Sequence, residues 1–279
     1  METKQKIIAK LGELTRHSHI KLTNCCNSAI LIALHIAKQN GAETVLIPDQ
    51  GGWLTYKTFP KMLGLEIVEV KTDYGLIDLK DLEKKASSKS ALIINSLAGY
   101  IAPLPLLEIS KICRARGCLL IEDASGSIGM EDLCDGRLSD IIVASFGKWK
   151  PANLGYGGFI STDRKEFSEI DPELWQAFRF VPEFEERLLT KLGGLDTRRK
   201  KLMAECTKLK LELAKLGLGQ DIIHKDKQGL NVIVRFKSDA EKEKIINHCR
   251  ESGYEFTICP RYIRVMDKAV SIEIKRLEL

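Results

Sequence analysis

Residues 145–158 read SFGKWKPANLGYGG, with Lys148 and Lys150 on either side of Trp149 and a glycine-rich turn behind them. A lysine in such a stretch can form a Schiff base, pair with an anion, or sit in a solvated turn. Three other stretches carry groups with chemical potential. Glu122-Asp123-Ala124-Ser125 closes an apolar run with a carboxylate. TNCCNSA, residues 23–29, follows another apolar run and opens a helical pattern, so its backbone amides can face an anion. PDQGGW, residues 48–53, adds the indole of Trp53. This set suits pyridoxal 5′-phosphate (PLP). That cofactor needs a lysine for its Schiff base, a carboxylate to keep the pyridine nitrogen protonated, and amides for its phosphate. No GxGxxG follows the first apolar run, and no GxxxxGK followed by Ser or Thr occurs, which argues against dinucleotide and P-loop sites.

The four groups can meet only if the elements behind them share one edge. Short apolar runs recur at 20–23, 44–48, 65–70, 91–95, 118–123, 140–145 and 156–162. Most are rich in Val, Ile and Leu without alternation, as strands buried on both faces are. Helical patterns at 27–39, 53–63 and 104–116 lie between them, the last two stopped by Gly64 and Gly117. Strand–helix alternation of this kind predicts an α/β fold with a mostly parallel seven-stranded sheet flanked by helices. Ligands of such sheets bind at the carboxyl ends of the strands, where all four groups fall.

After Thr162 the pattern changes. Residues 198–215 form an amphipathic helix whose apolar face is Leu202, Cys206, Leu209, Leu213 and Leu216. Strand patterns at 230–236, 254–260 and 269–275 surround a helix over 239–253, with Asp239 as N-cap and Gly253 as C-cap. The division expected is a large α/β domain over 1–195, with an N-terminal helix, and a small α+β domain over 196–279. Next to one of its strands stand Arg261 and Arg264, guanidinium forks suited to a substrate carboxylate or to a solvated basic edge.

The bulk numbers narrow the class. A chain of 279 residues can bury a core without metals or disulfides. The eight cysteines include no CxxC pair and no histidine-completed zinc set, so they read as reduced thiols, with no metal expected. No apolar run approaches a membrane span and no signal-peptide core opens the chain, so a cytoplasmic protein without membrane partners is expected. The net charge of +5 has no aromatic interleaving or nucleic-acid motif beside it, and nucleic acid is not expected as a partner.

The motifs resemble those of the DegT/DnrJ/EryC1/StrS aminotransferases, a branch of the fold-type I PLP enzymes. The resemblance runs over about residues 22–162 and faintly on to 199. The family pattern S-F-x-x-x-K, then four residues, then G-x-G-G is met by Ser145, Phe146, Lys150, Gly155, Gly157 and Gly158. It implies Lys150 as the Schiff-base lysine, with Lys148 at a variable position, and Ser145 as a phosphate contact. The E-D-A motif implies Asp123 as partner of the pyridine nitrogen, with Ser125 under the ring. The S-G-T-A-A-L phosphate loop is similar to residues 25–30, with Cys26 and Asn27 in place of its Gly and Thr; Asn27 can cap the helix and donate a hydrogen bond. Trp53 takes the place of the aromatic residue that stacks on the ring, or is a core tryptophan. Trp149 is expected to point away from the cofactor.

The resemblance implies a shortened, divergent member: a homodimer acting on a small-molecule amine or keto substrate, an amino acid or amino/keto-sugar. Gly126 stands where the family carries His or Gln, Ser96 where it often carries His, and the cross-dimer segment is not recognisable over 164–188. Asn95 is then the candidate partner of the ring hydroxyl. The same residues would serve a PLP lyase, racemase or decarboxylase, or a non-catalytic binding or regulatory protein built on this fold.

Overall fold

The computed structural model describes residues 2–261 and 265–278. Its large sheet has seven strands: β1 (His19–Thr23), β2 (Thr44–Pro48), β3 (Glu66–Val70), β4 (Ser90–Asn95), β5 (Leu119–Asp123), β6 (Ile141–Ser145) and β7 (Gly158–Thr162). Their order is β1-β7-β6-β5-β4-β2-β3. The pairs β2/β3, β2/β4, β4/β5 and β5/β6 are parallel. Strand β7 alone runs antiparallel, to both β6 and β1. The carboxyl ends of the other six strands therefore lie along one edge.

Alternate side chains of these strands feed two helical layers, as the two-residue period of a strand requires. Val45, Ile47, Ile93, Ile121 and Val143 meet α2 (Cys26–Gln39). Leu46, Leu92, Ile94 and Leu120 meet α3 (Leu79–Lys85) and α4 (Leu106–Arg116). Further along that face, Ile142, Ala144 and Phe159 pack against α1 (Glu2–Thr15) and α5 (Glu185–Gly193).

The helix expected over 53–63 is broken. Leu54–Lys57 is a 3₁₀ turn and Phe59–Met62 a single α turn, with Thr58 between them at φ −114°. Pro60 supplies no N–H to continue a helix through this segment. Gly64, at φ +70°, ends it as expected.

The remaining strands, β8 (Ile222–Ile223), β9 (Val232–Arg235), β10 (Phe256–Arg261) and β11 (Val265–Ile272), form an antiparallel sheet ordered β8-β9-β11-β10. One face carries α6 (Leu195–Lys215) and α7 (Asp239–Glu251). There Leu202, Cys206, Leu209 and Leu213 of α6 pack with Ile245, Ile246 and Cys249 of α7, while Leu216 ends α6 at 37% exposure. Ser238, rather than Asp239, is the N-cap of α7; its Oγ accepts the Glu241 N–H at 3.2 Å. The other face turns toward the carboxyl edge of the large sheet and meets Tyr100 through Ile233, Cys259, Val265 and Ala269. Among the described residues, no helix is long and apolar enough to cross a membrane.

Candidate active site

The chain leaves β6 at Ser145, whose Oγ accepts the Gly147 N–H at 3.0 Å. The Lys150 N–H then donates to Gly147 O at 3.2 Å, closing a tight turn. Trp149 sits at φ +65°, a strained value for a bulky residue, and its N–H donates to Asn153 Oδ1 at 2.8 Å. This turn carries Lys150 to the edge opposite Trp53, with Nζ 5.9 Å from the Trp53 ring centroid. The returning chain passes close beneath the start of α2, where Gly157 bridges Cys25.

Asp123 ends β5 and is 3% exposed. Its Oδ2 accepts the Tyr56 hydroxyl at 2.9 Å, and its Oδ1 accepts the Ser125 N–H at 3.0 Å, with Cys26 Sγ 4.0 Å away. Ser125 Oγ accepts the Ser145 N–H at 2.9 Å and lies 3.5 Å from Cys26 Sγ. Burial, and then the charge of Asp123, push the Cys26 thiol well up, so it stays protonated and is a poor nucleophile. All eight cysteines are free thiols, and only Cys25 is exposed.

Helix α2 begins at Cys26 behind an extended Cys25, which places no side-chain cap on its first amides. Asn27 is therefore not the cap. It lies in the first turn, where its Oδ1 accepts the Trp53 Nε1–H at 3.0 Å. The N-terminal amides of a helix without such a cap favour an anion.

A cavity of about 270 Å³ opens between the two sheets. The large sheet lines it with Trp53, Asn95, Gly126, Lys148, Trp149 and Lys150. Trp149 thus faces the cavity rather than away from it, because Arg276 covers its ring at 4.1 Å from the centroid. Asn231, Arg261, Ser271, Glu273, Lys275 and Arg276 form the opposite wall. Burial favours the neutral acid of Glu273, but Lys275 at 2.9 Å, Arg276 at 3.6 Å and the Ser271 hydroxyl at 3.0 Å outweigh it and hold the carboxyl below its ordinary range. Arg261 is exposed on this wall, and Arg264 lies outside the described residues.

Residues 2–216 match the DegT/DnrJ/EryC1/StrS aminotransferase family. The chain belongs to this family. Residues 196–279 also match the MJ1341 family C-terminal domain. A lysine-to-alanine variant of a serine palmitoyltransferase from S. paucimobilis, solved with a bound PLP–myriocin aldimine, superposes at a TM-score of 0.73 and 15% identity, covering 98% of this chain and 71% of that one. An aromatic aminotransferase from Pyrococcus horikoshii OT3 gives 0.70 and 20%, covering 98% and 80%. A 3-amino-5-hydroxybenzoic acid synthase gives 0.71 and 15%, covering 99% and 86%. These likenesses establish the fold as that of fold-type I PLP-dependent transferases. Two Thermotoga proteins named "Probable glycine dehydrogenase (decarboxylating) subunit 2" are 26% identical over 120 residues, 42% of this chain. The chain spans about a fifth of the length of these curated relatives.

As a member of this DegT/DnrJ/EryC1/StrS family, the chain has a residue set that fits PLP. The start of α2 is uncapped, each Asp123 oxygen can accept a further donor, and Lys150 stands across from an indole. Asp123, Ser125, Cys26 and Ser145 are joined by short contacts, while Asn27 and Trp53 form a second linked pair. Sequence reasoning missed Tyr56, Glu273, Lys275 and Arg276. Tyr56 was hidden inside a helical pattern, Glu273 and Lys275 in the tail of a strand pattern, and Arg276 just beyond it.

Proposed function

We propose that the chain is a PLP-dependent aminotransferase of an amino acid or an amino/keto-sugar, with Lys150 as the covalent attachment point. One observation carries this reading: Lys150, buried Asp123 and the uncapped start of α2 converge on one strand edge beside a cavity closed by a second sheet. PLP, when bound, supplies an electron sink for proton removal from an amine-bearing carbon. The amides of Cys26, Asn27 and Ser28, with Ser145, would hold its phosphate. Asp123 would pair with the ring nitrogen and keep it protonated by direct charge pairing. Ser125 and Trp53 would hold the ring, and Asn95 its hydroxyl. Lys150 moves the proton at the substrate Cα. Arg261, on the wall that faces Lys150, and Arg264 are the candidate anion contacts for substrate.

The protein should gain a visible absorption band on incubation with PLP, and Lys150→Ala should lose both that band and transamination of an amino acid panel. A protein that takes up no PLP would overturn this reading. Decarboxylation is the second reading, supported by the partial match to the Thermotoga proteins; release of CO₂ without transfer of the amino group would favour it. We also propose a division into 1–195 and 196–279, a reading supported by where the MJ1341 match begins. A homodimer, by family resemblance, and a cytoplasmic location, by the eight free thiols, complete the proposal.

A further inference from the structure

We propose that Tyr56 is a positioning residue: its hydroxyl fixes the plane of the Asp123 carboxylate for a pyridine nitrogen. The inference rests on the PLP reading above. A carboxylate 3% exposed needs donors, and two of them grip different oxygens of Asp123. Ser125 N–H holds Oδ1 from the chain that follows β5, and Tyr56 O–H holds Oδ2 from the turn after β2. With both oxygens held, rotation of the group about its last bond breaks a hydrogen bond.

The tyrosine itself has no freedom. Its ring is 0% exposed within the core between the sheet and α2. A Cβ at Gly52 would lie 3.0 Å from Tyr56 Cδ2, so the glycine lets the backbone close over the ring. Trp53 and Tyr56 belong to one turn, in which the Tyr56 N–H donates to Trp53 O at 3.1 Å. The broken helix therefore aims two aromatic residues in two directions. Trp53 lines the cavity, and Tyr56 reaches down to the carboxylate. The residue three places after Asp123 is Gly126, which brings no side chain of its own to the carboxylate.

The test compares PLP binding by wild type and Tyr56→Phe, which keeps the ring in the core. Hydrogen bonds to charged groups are worth enough that Tyr56→Phe should weaken PLP binding roughly ten- to a hundredfold. Its bound PLP should absorb at the position found in Asp123→Asn. With 1-deazapyridoxal phosphate, whose ring lacks the nitrogen, wild type and Tyr56→Phe should bind equally. A purely structural role would weaken both cofactors alike and so would overturn the proposal. PLP affinity within twofold of wild type, with an unmoved band, would also overturn it while leaving the PLP reading standing. A wild-type protein that takes up no PLP would end both. Should Tyr56→Phe fail to fold, 3-fluorotyrosine at position 56, which keeps the side chain's shape and alters the acidity of its hydroxyl, takes its place: a moved band and changed PLP affinity with unchanged deaza binding support the proposal, and equal changes or none overturn it.

Discussion

A methyl group on Gly158 would lie 2.6 Å from Ala144 O and 2.8 Å from Cys26 N. Both neighbours are backbone atoms, held by sheet pairing and by the start of α2, so neither can yield cheaply. Gly158→Ala should therefore cost roughly 2–4 kcal/mol, read as a lower urea midpoint. At this scale the sequence revealed the residues whose spacing along the chain is itself a signature. Lys150 and Asp123 stand out because each lies within a local motif of the kind that turns demand. Tyr56 did not stand out, because what makes it notable is a partner elsewhere in the chain, and Glu273 did not, because what makes it notable is its burial beside cations two and three positions away. The hydroxyl of Tyr56 meets a carboxylate 67 positions away, and Glu273 acquires its low proton affinity only once Lys275 and Arg276 curl back over it.

Among the elements, α7 offers a clean measurement. Ser238 caps it through the Glu241 N–H, so Ser238→Ala should destabilise the protein by about 1 kcal/mol in chemical denaturation, and Asp239→Ala by clearly less. Adjacent Ser and Asp both suit a helix start, and periodicity alone does not say which of them lies outside the first turn. The seven buried strands were legible because continuous Val, Ile and Leu runs have few other uses at that length. The segment 53–63 was not, since a 3₁₀ turn and an α turn share the apolar spacing of a short helix and differ only in which carbonyl each N–H reaches.

Across the whole molecule, a buried polar chain ties the large sheet to α1. Glu122, wholly buried, accepts the Ser139 hydroxyl at 2.7 Å and the Cys134 N–H at 2.8 Å. His17, 5% exposed, lies 3.1 Å from Ser139 O and 3.1 Å from Ser161 Oγ. Burial lowers the His17 proton affinity, so below about pH 6.5 the unfolded chain takes up a proton that the folded imidazole refuses. Its contribution is complete above that pH and is lost as pH falls toward the folded value. Burial raises the Glu122 value, so its contribution is complete below the ordinary carboxylate value of 4.5 and is lost as pH rises through the folded one. Melting temperatures between pH 7.5 and 5 should thus fall less steeply on acidification in His17→Gln, and more steeply in Glu122→Gln, than in wild type. The cavity is a property of this scale too. Its second wall comes from a sheet formed by residues 222–272, whose facing across the large sheet no periodicity in the chain announces.

The placement of the indoles has an optical consequence. Of the three tryptophans, Trp53 and Trp149 line the cavity, one opposite Lys150 and the other under Arg276. Trp175 lies apart, under Lys21 and edge-on to Phe167. Two of the three indoles therefore stand at the wall of the candidate site, with the third as an internal reference, and a chromophore arriving there should report its own presence without a label by quenching their emission.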